Sequence, residues 1–313
     1  MSETGAEPME SGTSTRPRPN PWRAPFTGKH KVLRGGRWSD LPDPGWNITA
    51  PPALASHADG KLHAVFANDG HLHHATWREP GGWSTPTRIT ADNQPVRTWR
   101  RPAVASHNGL LQLAYCDPTD LMLRWAHLTP DGQWRTSKRK GLPATELDLT
   151  VDDGGTLWLL ELHNDSTASL NEYLPDADRY EARVVPARHI DTINTSALVS
   201  LDDHLLLATP RRGGAIRTLY FNGSGYTPVS ELGNEALNTP AGLAMRTHKG
   251  RLHLVIPGRE GGLCWVQGAF STAGTGFRAI VWGPPQHVPA ATSHPSLSEH
   301  DGDLHLAYLQ STQ

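Results

Sequence analysis

Two residues stand out for where they sit. Arg101 and His294 each directly precede a proline, Pro102 and Pro295, that opens an apolar run. Other polar groups gather in irregular loops: Asp117 in YCDPTD, Glu161 and His163 in ELHNDST, and Arg211 in ATPRRGG. Further loops hold Trp99 and Arg100 (QPVRTWRRP), His189 with Asp191 (ARHIDTINTS) and Asn238 (GNEALNTP). Histidine and glutamate are the groups for acid–base work near neutral pH, so His163, Glu161, His294 and His189 are the catalytic candidates. Guanidinium groups stabilise anionic charge. Sugars are recognised by an aromatic face beside paired polar groups, which makes Arg101, Arg100, Trp99, Arg211, Asp117 and Asn238 the ligand-binding candidates.

The elements that position these loops are repeats. PPALASHADGKLHAVF, from Pro52, is an apolar run, a tight turn and a run of alternating apolar residues, which is a hairpin signal. The phrase returns from Pro102, Glu146, Ser196, Pro240 and Pro295. Its turn residues, Gly60, Gly109, Gly155, Asp203, Gly250 and Gly302, lie 46 to 52 residues apart. A period that steady predicts a repeat architecture.

A third strand follows each of the first five hairpins, as in HLHHATW from His71 and IRTLYF from Ile216. A fourth is announced by an aromatic after a turn: Trp83, Trp134, Tyr180, Tyr226 and Phe277. Six hairpins but only five such continuations leave the last hairpin, residues 295–309, without partners. The missing strands stand at the other end, in KHKVL from Lys29 and RWSDLP from Arg37. This predicts an all-β, six-bladed β-propeller of four antiparallel strands per blade, the last blade closed by residues 29–43. Residues 29–313 form that single domain, and residues 1–25, rich in Pro, Ser, Thr, Arg and Glu, are read as a flexible tail. Pro52, Pro102, Pro240 and Pro295 open first strands, where a missing N–H is tolerated.

In a repeat, a residue recurring at one register belongs to the fold, and one that breaks register needs another reason. His57, His107, His248 and His300 precede the hairpin turn, while His63, His253 and His305 follow it, so these histidines are assigned to structure. Eight residues past each turn marker stand Asn68, Asp117, His163, Arg211, Gly258 and Gln310. Strand register repeats there and chemistry does not, which suits one asymmetric site on the face around the channel mouth.

The chain has 29 Lys and Arg against 31 Asp and Glu, a formal charge of −2. This gives no basic excess for nucleic acid or an anionic membrane, and no apolar run reaches the roughly 18 residues of a membrane helix. Two cysteines, Cys116 and Cys264, are too few for a disulfide scaffold. Nothing calls for a cofactor or a metal, and the absence of a secretory-type segment sets the expectation of a cytoplasmic protein. The partner expected is a small molecule or glycan.

The phrase from Pro52, followed by GGWSTP from Gly81, resembles the lectin-like and sialidase-like propeller repeats of bacterial proteins. The resemblance spans residues 29–309 and concerns architecture. No S-x-D-x-G-x-T-W box is present, and the Arg, Glu and Trp set of fucose-type propeller lectins does not recur from blade to blade. It implies a lectin-like propeller binding a polar or carbohydrate-type ligand at the channel mouth. The alternatives are a hydrolase, lyase or cyclase with one His/Glu/Arg site there, and a protein-interaction scaffold.

Overall fold

A computed structural model describes residues 26–137, 141–163, 167–184, 196–202, 204–211, 215–221, 225–233, 242–258, 262–271, 279–288 and 293–311. The residues read as a tail, 1–25, lie outside this set. Six antiparallel sheets form the blades. Their first strands are Ala50–His57, Ala103–His107, Glu146–Val151, Ala197–Leu201, Ala244–His248 and Ser293–His300. Each touches the next and the sixth touches the first, which makes a closed inner ring.

Hairpin geometry follows from the turn residues. Asn108–Gly109, Lys249–Gly250 and Asp301–Gly302 have positive φ at both positions, as a two-residue primed turn requires. Prolines fall where the ladder is broken: Pro51 and Pro52 lie in the irregularity between Ala50 and Ala53, and Pro295 in that between Ser293 and Ser296.

Ring closure is realised by the termini. In blade 6, Phe26–Arg34 pairs with the C-terminal strand Asp303–Ser311, for example Lys31 with Leu306, and Arg37–Asp40 forms the outer edge. Blade 2 is broader than the repeat predicts. Thr90–Ala91 adds in parallel beside Trp134, and Gln94–Pro95 pairs with it.

Each blade buries both faces, which is why its inner strands read as almost continuous apolar runs. Six apolar clusters result, one between each pair of neighbouring blades. Along Lys61–Asn68 in blade 1, Leu62, Ala64 and Phe66 pack toward blade 6, while Val65 and Ala67 pack toward blade 2. That is the period of two expected of a strand. Each fully buried leucine in these seams contributes about 1.5–3 kcal/mol.

The recurring histidines act as clasps between blades. His57 bonds Ser106 Oγ of blade 2 (2.8 Å), His107 bonds the Gly155 carbonyl of blade 3 (3.1 Å), and His300 bonds Ser56 Oγ of blade 1 (2.9 Å). Within blades, His253 accepts from Trp265 Nε1 (3.1 Å), and His305 pairs with His30 (3.0 Å). No helix among the described residues is long and apolar enough to cross a membrane.

Candidate functional site

An innermost strand has one edge with no neighbour in its own sheet, so its N–H and C=O groups face the channel and need partners. Small side chains supply some: Ser296 Oγ accepts from Leu54 N and Ser298 Oγ from Ser56 N, both at 3.1 Å. Across blade 4 the partners are charged. Asp148 of blade 3 accepts from Leu198 N (2.8 Å), and Arg246 of blade 5 donates to the Leu198 carbonyl (3.0 Å). Arg246 and Asp148 themselves approach to 3.7 Å. Facing the next blade, Asp148 corresponds to Ala53, Ala103, Ala197, Ala244 and Ser296, and Arg246 to Ala55, Ala105, Thr150, Val199 and Ser298. Both therefore break register within the ring. In the sequence they are hidden among the apolar residues of their first strands.

Arg101 joins this network. It is 9% exposed, and among the described residues its guanidinium has no hydrogen-bond acceptor and no carboxylate within 4 Å. Burial pushes its pKa down, the more distant charges of Asp148 and Glu146 pull it back up, and Arg246 opposes them. Glu146, at the start of the blade 3 first strand, has its pKa pushed up to about 7 by burial, restrained by Arg101 and Arg100. Its Oε2 is enclosed and has no hydrogen-bond partner. Arg100 donates to the Thr145 carbonyl (2.6 Å), which anchors the pair of arginines to the entry of blade 3. Three guanidinium groups thus face two carboxyl groups, one of which burial holds above the usual carboxylate range.

Trp99 is 40% exposed and fixed in place. Thr98 N donates to the Gly70 carbonyl (3.1 Å), and the indole lies against Gly70, where an added Cβ would come within 2.6 Å of the ring. The turn between the second and third strands of blade 1 therefore holds an indole face open to solvent.

Other predicted residues are placed elsewhere. Asp117 is engaged in its own loop, accepting from Thr119 N (2.8 Å) and Arg124 Nε (3.4 Å). Arg211 pairs with Glu231 (3.2 Å) on the outermost strand of blade 4, so its charge is directed away from the channel. His189, Asp191 and Asn238 lie outside the described residues, as does the side chain of His294.

Glu161 and His163 are brought together, but not with Arg101. Glu161 pairs with Leu147, which packs toward blade 2, whereas Glu146 pairs with Leu162, which packs toward blade 4. Glu161 belongs to a cleft of about 460 Å³ between blades 2 and 3, lined by Trp125, Leu142, Glu161, Ser169, Arg179 and Tyr180 among others, and His163 Nε2 stands 3.7 Å from its Oε2. Burial alone pushes the Glu161 pKa up to about 7. Tyr180, assigned from sequence to packing, is also among the lining residues. Among the described residues no group of three or more His, Cys, Asp or Glu is arranged to hold a metal ion.

No protein-family model matches the chain, and no curated protein matches it. Solved structures do. The chain is similar to the SapL1 lectin in complex with alpha methyl fucoside, at 15% identity and a TM-score of 0.58 over 83% of this chain and 88% of that one. It is similar to the fungal lectin of Aleuria aurantia, a six-bladed β-propeller with its own fucose recognition mode, at 10% identity and a TM-score of 0.61 over 84% and 89%. It is also similar to streptogramin B lyase, at 13% identity and a TM-score of 0.50 over 91% and 98%. Binding proteins and an enzyme share this architecture, and at these identities the likeness is one of fold.

Proposed function

We propose that this chain is a lectin-like binding propeller that holds a polar, carbohydrate-type ligand bearing an acidic group at the channel mouth. The observation that carries the reading is Arg101, a buried arginine whose guanidinium has no carboxylate in contact among the described residues. A buried charge is normally paired, because leaving it unpaired costs several kcal/mol. An anionic group of a ligand would supply the missing partner. The exposed Trp99 indole offers the apolar face against which a sugar ring stacks. The fucose-binding lectins of the same architecture are consistent with a glycan as ligand.

Arg101 has Gly242 at its place in blade 5, so the fold does not require an arginine there. A glycan array tests the proposal. Acidic saccharides bearing uronate or sialate groups are expected to be retained and their neutral counterparts not. An array on which neutral glycans alone are bound would contradict it.

A further inference from the structure

Ser169 lines the cleft between blades 2 and 3, and His163 stands beside it in a fixed relation. His163 Nδ1 lies 2.9 Å from the Pro143 carbonyl oxygen, and its Nε2 lies 2.9 Å from Ser169 Oγ. A carbonyl can only accept, so in the neutral imidazole the proton is on Nδ1 and the Nε2 lone pair faces the serine. The Ser169 O–H then donates to Nε2, which is the arrangement of a nucleophile and its general base, with the base oriented by a third group. Glu161 Oε2 stands 3.7 Å from the same Nε2, close enough to stabilise an imidazolium.

These positions follow from the strands. Ser169 pairs with Glu161 and Asn171 with Leu159, so Ser169, Asn171, Glu161 and Leu159 share the face of blade 3 that meets blade 2. His163 follows the end of the second strand, and its N–H bonds the Thr167 carbonyl (2.9 Å), which folds the imidazole back over Ser169. Leu123, Trp125 and Leu142 make the facing wall apolar. Nothing in packing requires a serine, an imidazole and a carboxyl to converge on an open cleft.

We infer that this cleft is a second, catalytic site that hydrolyses small carboxylic esters, with Ser169 as nucleophile and His163 as base. It goes beyond binding at the channel mouth and uses different residues. Ser169 Oγ attacks the ester carbonyl carbon as its proton passes to His163 Nε2, and the carbonyl oxygen becomes an oxyanion. Collapse expels the alcohol, which takes the proton back from Nε2, and leaves the acyl group on Ser169. Water then attacks the acyl carbon, its proton passing through Nε2 to Ser169 Oγ, and the carboxylic acid leaves. The apolar wall of Leu123, Trp125 and Leu142 would receive a short acyl chain.

The test uses the full chain and two probes, a fluorophosphonate and p-nitrophenyl acetate. Peptide mass mapping is expected to find the phosphonate on Ser169, and prior heat denaturation to abolish that label. Turnover of p-nitrophenyl acetate is expected to fall at least ~100-fold in Ser169→Ala and in His163→Gln, each with an unchanged melting temperature. Labelling needs no variant, so it decides the matter even if a substituted chain does not fold. A folded wild-type protein that leaves Ser169 unlabelled, or a Ser169→Ala protein that turns over ester at the wild-type rate, would overturn the inference.

Discussion

Replacing Arg101 by methionine should make the unliganded protein more stable while removing its binding of acidic ligands. The residue is 9% exposed, and among the described residues its guanidinium touches no carboxylate within 4 Å. Burying such an ion costs several kcal/mol even after relaxation. Against that stands the attraction of Glu146 and Asp148, offset in part by Arg246. Two charges 4 Å apart attract by about 4 kcal/mol at an effective dielectric near 20, and these lie further off, so the attraction is smaller. Methionine keeps the linear stem and sheds the charge. Exchanges of buried charge for apolar isosteres are neutral to stabilising by about 1–4 kcal/mol. A gain near 2 kcal/mol should raise the melting temperature by roughly 3 °C in a chain of this size. Differential scanning calorimetry without ligand is the assay. A loss of more than about 1 kcal/mol in Arg101→Met would mean that the arginine holds the ring together, and the reasoning that it awaits a ligand would fail.

Three other substitutions or conditions probe the same account. Asp148→Ala removes the acceptor of Leu198 N and the nearest anion of Arg246, and should cost about 2–3 kcal/mol by chemical denaturation; a change under about 0.5 kcal/mol would show the network to be idle. Gly70 and Gly60 have the same left-handed φ, +72° and +73°, but only at Gly70 does a Cβ meet the Trp99 ring, so Gly70→Ala should destabilise more than Gly60→Ala, and equal effects would refute the seating of the indole. Acid should destabilise through the neutral histidines, whose pKa values burial lowers, to about 3 for His74 and to about 4 for His253 and His305. Their contribution is complete above the unfolded value of about 6.5 and is lost as pH falls toward the folded values, near 2 kcal/mol each at pH 5 for the two fully buried rings. Glu146 and Glu161, raised to about 7, run the other way, since their contribution is complete below the unfolded value and is lost as pH rises through 7. His30, His63, His73 and His107 are lowered by burial as well, so the histidines outweigh the two carboxyls. The melting temperature should therefore fall as pH drops below about 6.5, and His305→Gln should flatten the fall. A melting temperature that rises from pH 6.5 to 5 would contradict this balance.

The ring was legible because its signals are local and repeated. Primed turns need Asn-Gly, Asp-Gly or their equivalents, inner strands buried on both faces need unbroken apolar residues, and the two unmatched ends could only complete each other. The broad edge of blade 2 was not legible, because Thr90–Ala91 and Gln94–Pro95 are two-residue strands with no periodicity of their own. Loop side chains were harder still. Arg211 has the same register as His163, yet its direction is decided by Glu231 two strands away, which no spacing reports. Arg101 stood out as a candidate because position before a first-strand proline fixes where a side chain starts. Its partners Glu146, Asp148 and Arg246 were hidden inside apolar strands that looked wholly structural. Ser169 was overlooked for a related reason, as a small polar residue at the head of a third strand.

The central claim is that Arg101 meets an acidic group on the ligand, and titration calorimetry tests it most directly. D-glucuronate and D-glucose differ by the carboxylate, and each is titrated into wild-type protein and into Arg101→Met. A buried charge-assisted contact is worth about 1.5–3 kcal/mol, so glucuronate should bind roughly 10- to 150-fold more tightly than glucose. That preference should vanish in Arg101→Met while the fold persists. Equal affinities for the two sugars in the wild type, or a preference for glucuronate that survives the loss of Arg101, would contradict the account.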